Sequence, residues 1–357
     1  MNAQKTILIT GGCGFVGSCL ACYLKQNYPN YHIIAFDNLK RRGSELNLKR
    51  LKDLDIEFVH GDVRNPSDLQ THHKITTIID AAAEPSVLAG INEPTDYLIQ
   101  TNFNGTINLL NLALKHQADF IFLSTSRVYP IQNINKIKRT EHNTRFEIDE
   151  HQTLEGISQK GINESFSLNG SRSLYGASKL ASELFVEEYN AILGLKTVIN
   201  RCGVLTGAYQ MGKVDQGVMV LWVAKHYFNA QLGYFGYGGK GKQVRDVLHI
   251  KDFYSVIDYQ IHHIDAVNGN LFNVGGGQDI SVSLQELTKI CQEITGNTIP
   301  IAKIAENRAA DIPIYITDNT KITQTTGWKP QTSVRDTVVD IYEWIKNNEN
   351  ELKNILN

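Results

Sequence analysis

Thr6-Ile7-Leu8-Ile9-Thr10-Gly11-Gly12-Cys13-Gly14-Phe15-Val16-Gly17 decides the fold of this 357-residue chain. Thr6 to Thr10 is a short apolar, β-branched run, the pattern of a strand buried on both faces. It leads directly into G-x-x-G-x-x-G at Gly11, Gly14 and Gly17, and an apolar helical stretch follows through Leu24. Strand, glycine turn and helix in that order make a phosphate cradle. The glycines let the backbone turn tightly and approach a pyrophosphate, whose charge is stabilised by free N–H groups at the helix N-terminus. A second strand, Ile33 to Phe36, ends at Asp37, where a ribose-binding acid belongs. A carboxylate there accepts hydrogen bonds from the adenosine 2′- and 3′-hydroxyls and repels a 2′-phosphate, which favours NAD over NADP. Lys40, Arg41 and Arg42 could hold a 2′-phosphate, but Asp37 comes first on the strand end.

Working outward, strands at Ile56–Val59, Thr77–Ala81 and Phe120–Ser124 alternate with helical patterns at about 67–72 and 97–116. Alternation of this kind predicts an α/β fold with a Rossmann-type doubly wound parallel sheet. Asp62 and Val63 follow the third strand, where a carboxylate can meet the adenine amino group while the valine packs on the ring. Ala81, Ala82 and Ala83 follow the fourth, where small side chains let a cofactor lie close to the backbone. The expected cofactor set is Gly11, Gly14, Phe15, Val16, Gly17, Asp37, Asn38, Asp62, Val63, Ala81, Ala82 and Ala83. Glu84 and Ser86, just beyond, are candidates for a substrate pocket or simply polar loop residues.

The length suits two domains, and a net charge of −2 carries no bias toward nucleic acid or an anionic membrane surface. Five cysteines, Cys13, Cys19, Cys22, Cys202 and Cys291, are odd in number, which points to a reducing cytoplasm. No apolar run approaches the ~20 residues needed to span a bilayer. His60, His72, His73 and His249 show no paired ligand spacing with cysteine or carboxylate, so they read as structural or surface groups, and no metal is expected.

Tyr175 and Lys179 stand one helical turn apart, which puts a phenol beside an ammonium. A fixed cation favours the phenolate and moves a tyrosine from its usual ~10 toward working pH, making a general base. The fifth strand runs out in Ser124-Thr125-Ser126-Arg127-Val128-Tyr129, so a hydroxyl sits at the carboxyl end of a sheet strand, where such sheets bind ligands and where it can share a proton with substrate.

With the glycine spacing, Asp37, the Ser124-Thr125 strand end before Val128-Tyr129, and Tyr175-x-x-x-Lys179, the chain resembles the extended short-chain dehydrogenase/reductase family of sugar-nucleotide epimerases and dehydratases. The likeness runs over nearly the whole sequence. It implies Thr125, Tyr175 and Lys179 as the catalytic set, with Lys179 also on the nicotinamide ribose and Tyr175 also beside the cofactor. Dehydratases of the family carry an Asp-Glu pair after the threonine; Ser126-Arg127 stands here, which argues against elimination. The resemblance further implies Arg245 and Arg308 on a diphosphate and Gln216 beside it, with Glu84, Ser86 and Thr125 toward the sugar. Two arginines suit a diphosphate because a guanidinium donates paired hydrogen bonds to phosphate oxygens.

Within the family, Ile9 to Phe15, Phe36 to Leu39, Phe58 to Asn65, Asp215 to Gly217 and Gly241 to His249 resemble the CDP-sugar 2-epimerases. Arg201 to Gly207 and Pro130 depart from that pattern, and the first of these touches the substrate pocket. The implied activity is NAD-dependent 2-epimerisation of a CDP-sugar through a transient keto intermediate. A UDP-hexose 4-epimerase or a sugar-nucleotide dehydrogenase is the second reading, and a catalytically silent NAD-binding sensor a third of another class. The intact threonine, tyrosine and lysine speak against silence. Expected domains are 1–199 with a returning segment 244–277, and 200–243 with 278–357 for the nucleotide sugar. A homodimer through helices near 97–116 and 174–193 is implied by the resemblance. Residues 131–170 are polar without clear period; so long an irregular stretch is read as functional or disordered, and as a lid over the sugar that could fix which hydroxyl reacts.

Overall fold

The structure, a computed structural model, describes residues 5–91, 94–212, 216–308 and 310–356. Its first elements follow the sequence pattern closely: β1 (Thr6–Thr10), α1 (Phe15–Asn27), β2 (His32–Asp37), α2 (Asn47–Asp53), β3 (Glu57–His60) and β4 (Thr77–Asp80). A long helical segment then combines α3 (Asp96–Ile99), a π-helical stretch Gln100–Asn104 and α4 (Gly105–His116), and β5 (Asp119–Thr125) closes the run. A seven-stranded sheet orders these as Asn270–Val274, Thr197–Cys202, β5, β4, β1, β2, β3. β1 pairs in parallel with β2 on one side and β4 on the other, so Ile7 and Ile9 are fully buried. Leu8, Ile34, Ile78 and Phe120 of the sheet share a core with Leu109, Leu110 and Ala113 of α4 and with Val186 of the helix Leu174–Ala191.

Two local readings differ from expectation. The helical pattern at 67–72 is only a 3-10 turn, Pro66–Leu69, started by the Asn65 side chain accepting from the Ser67 N–H; Leu69 is its one buried residue, too little apolar face for a helix. The stretch 97–116 is helical but widened in its middle, at Gln100–Asn104. There the Asn102 carbonyl accepts from the Thr106 and Ser182 hydroxyls at 3.0 and 2.9 Å, side-chain bonds that accompany the π geometry.

The chain packs as two compact units: residues up to Val128 with Leu174–Arg201 and Tyr254–Phe272, and Tyr129–Ser173 with Cys202–Phe253 and the chain from Asn273 onward. The expected division differs in two places. The returning segment is Tyr254–Phe272 rather than 244–277, because Val244–His249 pairs with Ser281–Ser283 and Ile314–Tyr315 in the second unit. Residues 129–173 also belong there. They are ordered into a short helix Ile131–Asn135 and two hairpins, Arg139–Glu141 with Phe146–Ile148 and Ile157–Ser158 with Gly161–Ile162. Tyr129, Ile137, Ile162 and Phe166 are buried, the Tyr129 hydroxyl donates to Asn273 Oδ1 at 2.8 Å, and the Ile162 N–H donates to the Ile316 carbonyl at 2.8 Å. The second unit also holds Val204–Thr206 paired with Val244–His249, the parallel pair Leu232–Phe235 with Ile301–Ile304, and a helical packing of Val218–Tyr227, Leu284–Thr295 and Val334–Asn347, with Trp222 Nε1 and the Tyr234 hydroxyl both on Thr288 Oγ1.

Candidate active site

The glycine turn is dictated by space. Gly11 has φ +62°, a left-handed backbone, and a Cβ there would lie 2.7 Å from the Ala81 carbonyl oxygen. A Cβ on Gly17 would stand 2.2 Å from the Gly11 oxygen. Gly14 caps α1 with no side chain to bond its first N–H groups, so the helix presents unsatisfied donors at Phe15, Val16 and Gly17. Backbone brought this close to an uncapped helix start fits a pyrophosphate.

Asp37 ends β2 and ties the turn down: Oδ2 accepts from the Cys13 N–H at 3.0 Å and Oδ1 from the Leu39 N–H at 2.7 Å. A carboxylate has about four acceptor sites, so capacity remains for ribose hydroxyls. Burial, with Asp37 adding to it, pushes the Cys13 thiol up to about 12, which keeps it protonated and inert. Asp62 accepts from Arg64 Nη2 at 2.7 Å and Asn38 Nδ2 at 2.9 Å, and the Arg64 bond holds its carboxyl down at about 2. Val63 is buried against Gly105, whose missing Cβ leaves room for it, and the Asn108 side chain donates to the Val63 carbonyl at 2.9 Å. Ala81, Ala82 and Ala83 are half-buried at the end of β4, where the Ala82 N–H reaches Thr10 Oγ1.

Sequence reasoning passed over Tyr97. Lys40 Nζ lies 3.3 Å from its ring centroid and the Arg64 guanidinium 4.8 Å from it. Lys40 is thereby held on an aromatic face. The signal was present only as a tyrosine on a helix far along the chain from both Lys40 and Arg64.

The structure puts Thr125 at the end of β5 and Tyr175 and Lys179 on the first turns of the helix Leu174–Ala191. Tyr175 is half-buried, while Lys179 is 2% exposed with Nζ 3.9 Å above the Phe122 ring. Thr125 Oγ1 accepts from the Arg127 N–H at 3.2 Å, an arrangement that leaves its own O–H to donate. Ser124, the neighbouring hydroxyl, is committed instead to Glu183, which forms a fully buried ion pair with Arg201 at 2.6 Å. Thr125 is therefore the better placed of the two for chemistry. Ser178 locks the helix start: its hydroxyl donates to the Tyr175 carbonyl at 2.8 Å and accepts from Asn102 Nδ2 at 3.2 Å. Asn102 in turn clasps the Glu84 backbone, accepting from its N–H at 2.7 Å and donating to its carbonyl at 3.0 Å. The side chains of Glu84 and Ser86 each accept a backbone N–H two residues on, so both build this turn.

In the second unit Arg245 lies on Val244–His249 and donates to the Val244 and Ile312 carbonyls at 2.8 and 2.7 Å, with Asp311 at 3.4 Å. Burial pulls its guanidinium down from its usual range while Asp311 opposes this, so an anion would relieve the desolvated charge. Arg308 stacks 3.5 Å over Phe235 and its carbonyl accepts the Asp311 N–H, so Asp311 links the two arginine segments. Gln216 is half-buried beside Gly217, which has φ +80°. Lys213, Val214, Asp215 and Ala309 of the quoted motifs lie outside the described residues.

The NAD dependent epimerase/dehydratase family matches residues 7–275. The CDP-paratose 2-epimerase of Salmonella typhi is 34% identical over 349 residues, 95% of this chain and 98% of that protein. A putative UDP-glucose 4-epimerase of Methanocaldococcus jannaschii is 27% identical, covering 96% and 99%. Among solved structures, the dTDP-glucose 4,6-dehydratase DesIV of Streptomyces venezuelae, with NAD and TYD bound, superposes with a TM-score of 0.77 at 27% identity, over 97% of this chain and 98% of that one. With a glycine cradle that leaves no room for side chains at Gly11 and Gly17, a tyrosine and buried lysine one turn apart, and a strand-end threonine, the chain is an enzyme that belongs to the NAD-dependent epimerase/dehydratase family.

Proposed function

We propose that the protein is a sugar-nucleotide epimerase that inverts C2 of a CDP-sugar. The observation that carries the reading is the likeness to the CDP-paratose 2-epimerase, which spans nearly all of both chains. Ser126 and Arg127 after Thr125, in place of an acid pair, support epimerisation over dehydration. The cradle residues Gly11, Gly14, Phe15, Val16 and Gly17 would hold the NAD pyrophosphate, Asp37 and Asn38 the adenosine ribose, and Asp62 and Val63 the adenine. Bound there, NAD supplies a hydride acceptor that later gives the same hydride back.

The chain's own groups handle the proton. Tyr175, as phenolate, takes the proton of the sugar hydroxyl as that carbon is oxidised. Lys179 keeps the phenolate charged through its nearby ammonium and meets the nicotinamide ribose, and Thr125 donates to the reacting oxygen. Arg245 and Arg308 hold the diphosphate, Gln216 lies beside it, and Glu84 and Ser86 border the sugar. When the keto sugar presents its other face, Tyr175 returns the proton, so the cycle has no net redox change.

Proton NMR with a panel of CDP-, UDP- and GDP-sugars tests the reading. Inversion at C2 of a CDP-sugar without NADH accumulation is expected. Inversion at C4 of a UDP-hexose, or stoichiometric NADH release, would replace it with the second reading. The enzyme is further proposed to be a homodimer: Ile99, Leu184 and Phe185 are exposed apolar residues on α3 and the helix Leu174–Ala191, and Leu193 follows just after. Sedimentation as a monomer would remove that proposal.

A further inference from the structure

The opposite ends of β2 carry different chemistry. Asp37 closes the strand at the cofactor cradle, whereas His32 opens it, on the order of 16 Å away for a strand of this length. Beside His32 stands Glu57, the first residue of β3. Glu57 is in register with Ile34, and His32 lies two residues before Ile34, so the two side chains share one face of the sheet. The loop before β4 brings His73 to the same spot, its backbone N–H fixed by Thr71 Oγ1 at 3.1 Å.

His32 Nε2 lies 2.7 Å from Glu57 Oε2, and His73 Nε2 lies 3.5 Å from the same oxygen. The two imidazoles pack edge to face with centroids 4.3 Å apart, and the donor atoms of all three residues fall within 4.8 Å of one another. A tetrahedral zinc with bonds of about 2.0–2.1 Å sets its ligand atoms roughly 3.4 Å apart, so small side-chain rotations close the set around one ion. The side chains are 28%, 39% and 48% exposed, which leaves the remaining coordination position to water.

We propose that His32, Glu57 and His73 form a metal site for zinc or a similar borderline divalent ion, at the end of the sheet remote from the catalytic residues. Two imidazoles and a carboxylate suit zinc, cobalt or nickel better than calcium or magnesium, which prefer oxygen. The ion would pin the starts of β2 and β3 and the loop ahead of β4 to one another, three segments otherwise joined here by hydrogen bonds. The site is stabilising, and turnover does not pass through it. The linear sequence conceals it because the ligands come from three separate segments.

The test uses the full chain without a histidine tag, stripped with EDTA and titrated with cobalt(II) chloride by visible absorption and with zinc sulfate by calorimetry. One ion per chain is expected, with zinc raising the melting temperature. His73→Ala and His32→Ala should each weaken zinc at least about tenfold, abolish the thermal shift and leave NAD content unchanged. His73→Ala alters only a loop residue, so it guards against misfolding at the strand start. No uptake by the native chain, or equal uptake by His73→Ala, would overturn the site and leave His32 and Glu57 as a surface ion pair.

Discussion

The cradle at the start of the chain and the segment 129–173 have opposite relations to their sequences. In the cradle, each requirement is steric and fixes the residue type itself: a Cβ on Gly17 would meet the Gly11 oxygen six positions back, and one on Gly11 the Ala81 carbonyl at the adjacent strand end. In 129–173, the stabilising partners are far away in sequence, with Tyr129 on Asn273, Ile162 on Ile316 and Phe146 on Lys242. Exclusion of every side chain leaves a glycine motif; distant packing leaves scattered apolar residues in a polar stretch.

The largest expected effect lies beside the cradle. Tyr175→Phe removes only an ionisable oxygen from a half-buried ring, so turnover should fall ~10²–10⁴-fold. NAD content should stay near native, because the glycine turn, Asp37 and Lys179 remain. Rapid single-turnover assays on the substrate found by NMR, with cofactor quantified after denaturation, separate the two. Native turnover in this variant would end the assignment of Tyr175 as base.

Phe166→Ala tests the other region. Phe166 is 2% exposed and meets the Tyr129 ring edge to face at 5.7 Å, so the loss should be about 3–5 kcal/mol in urea unfolding. A polar lid without fixed packing would lose almost nothing. Removing the whole of 134–166 would not test a lid cleanly, since Ile137, Phe146, Ile157 and Ile162 would leave the core with it.

The contrast also explains what could be read in advance. β1, β2, β4 and β5 were legible to within a residue or so because their apolar runs are short, buried on both faces and bounded by glycine or polar ends. Asp37 was legible from its distance to Gly17. By contrast, the Glu183–Arg201 ion pair that claims Ser124 was not. Its members lie on a helix and the following strand, and nothing in their spacing marks them as buried. Nor was the turn around Asn102, whose role depends on Glu84 and Ser178 arriving from other elements. The returning segment was drawn wider than the compact unit Tyr254–Phe272, because Val244–His249 mixes three apolar residues with Arg245, Asp246 and His249 and carries no mark of the sheet it joins.

Gly17→Ala sharpens the steric half of the comparison. A methyl 2.2 Å from the Gly11 oxygen forces the turn open, at a strain of about 1–3 kcal/mol, or roughly 5–150-fold in NAD affinity. The second unit should be unaffected, so Phe166→Ala and Gly17→Ala should be additive in stability. Coupling between them would mean that the two regions are less independent than their sequences suggest.

The smallest effect is electrostatic and belongs to the rim of the cradle. Arg64 holds the Asp62 carboxyl at about 2, below the ~3.9 of an unfolded chain. A depressed folded value contributes stability that is present above the unfolded value and is lost as pH falls toward the folded one. Asp62→Asn removes this contribution. The gap in urea midpoint between native protein and variant should thus be constant from neutrality to ~pH 5, shrink below ~pH 4, and vanish near ~pH 2. Arg64 is 39% exposed, so added salt should narrow the gap at neutral pH as well. A gap that holds unchanged from ~pH 5 to ~pH 3 and ignores salt would show that Asp62 acts through its hydrogen bond to Asn38 rather than through its charge. The cradle's rim would then be fixed, like its glycines, by local geometry alone.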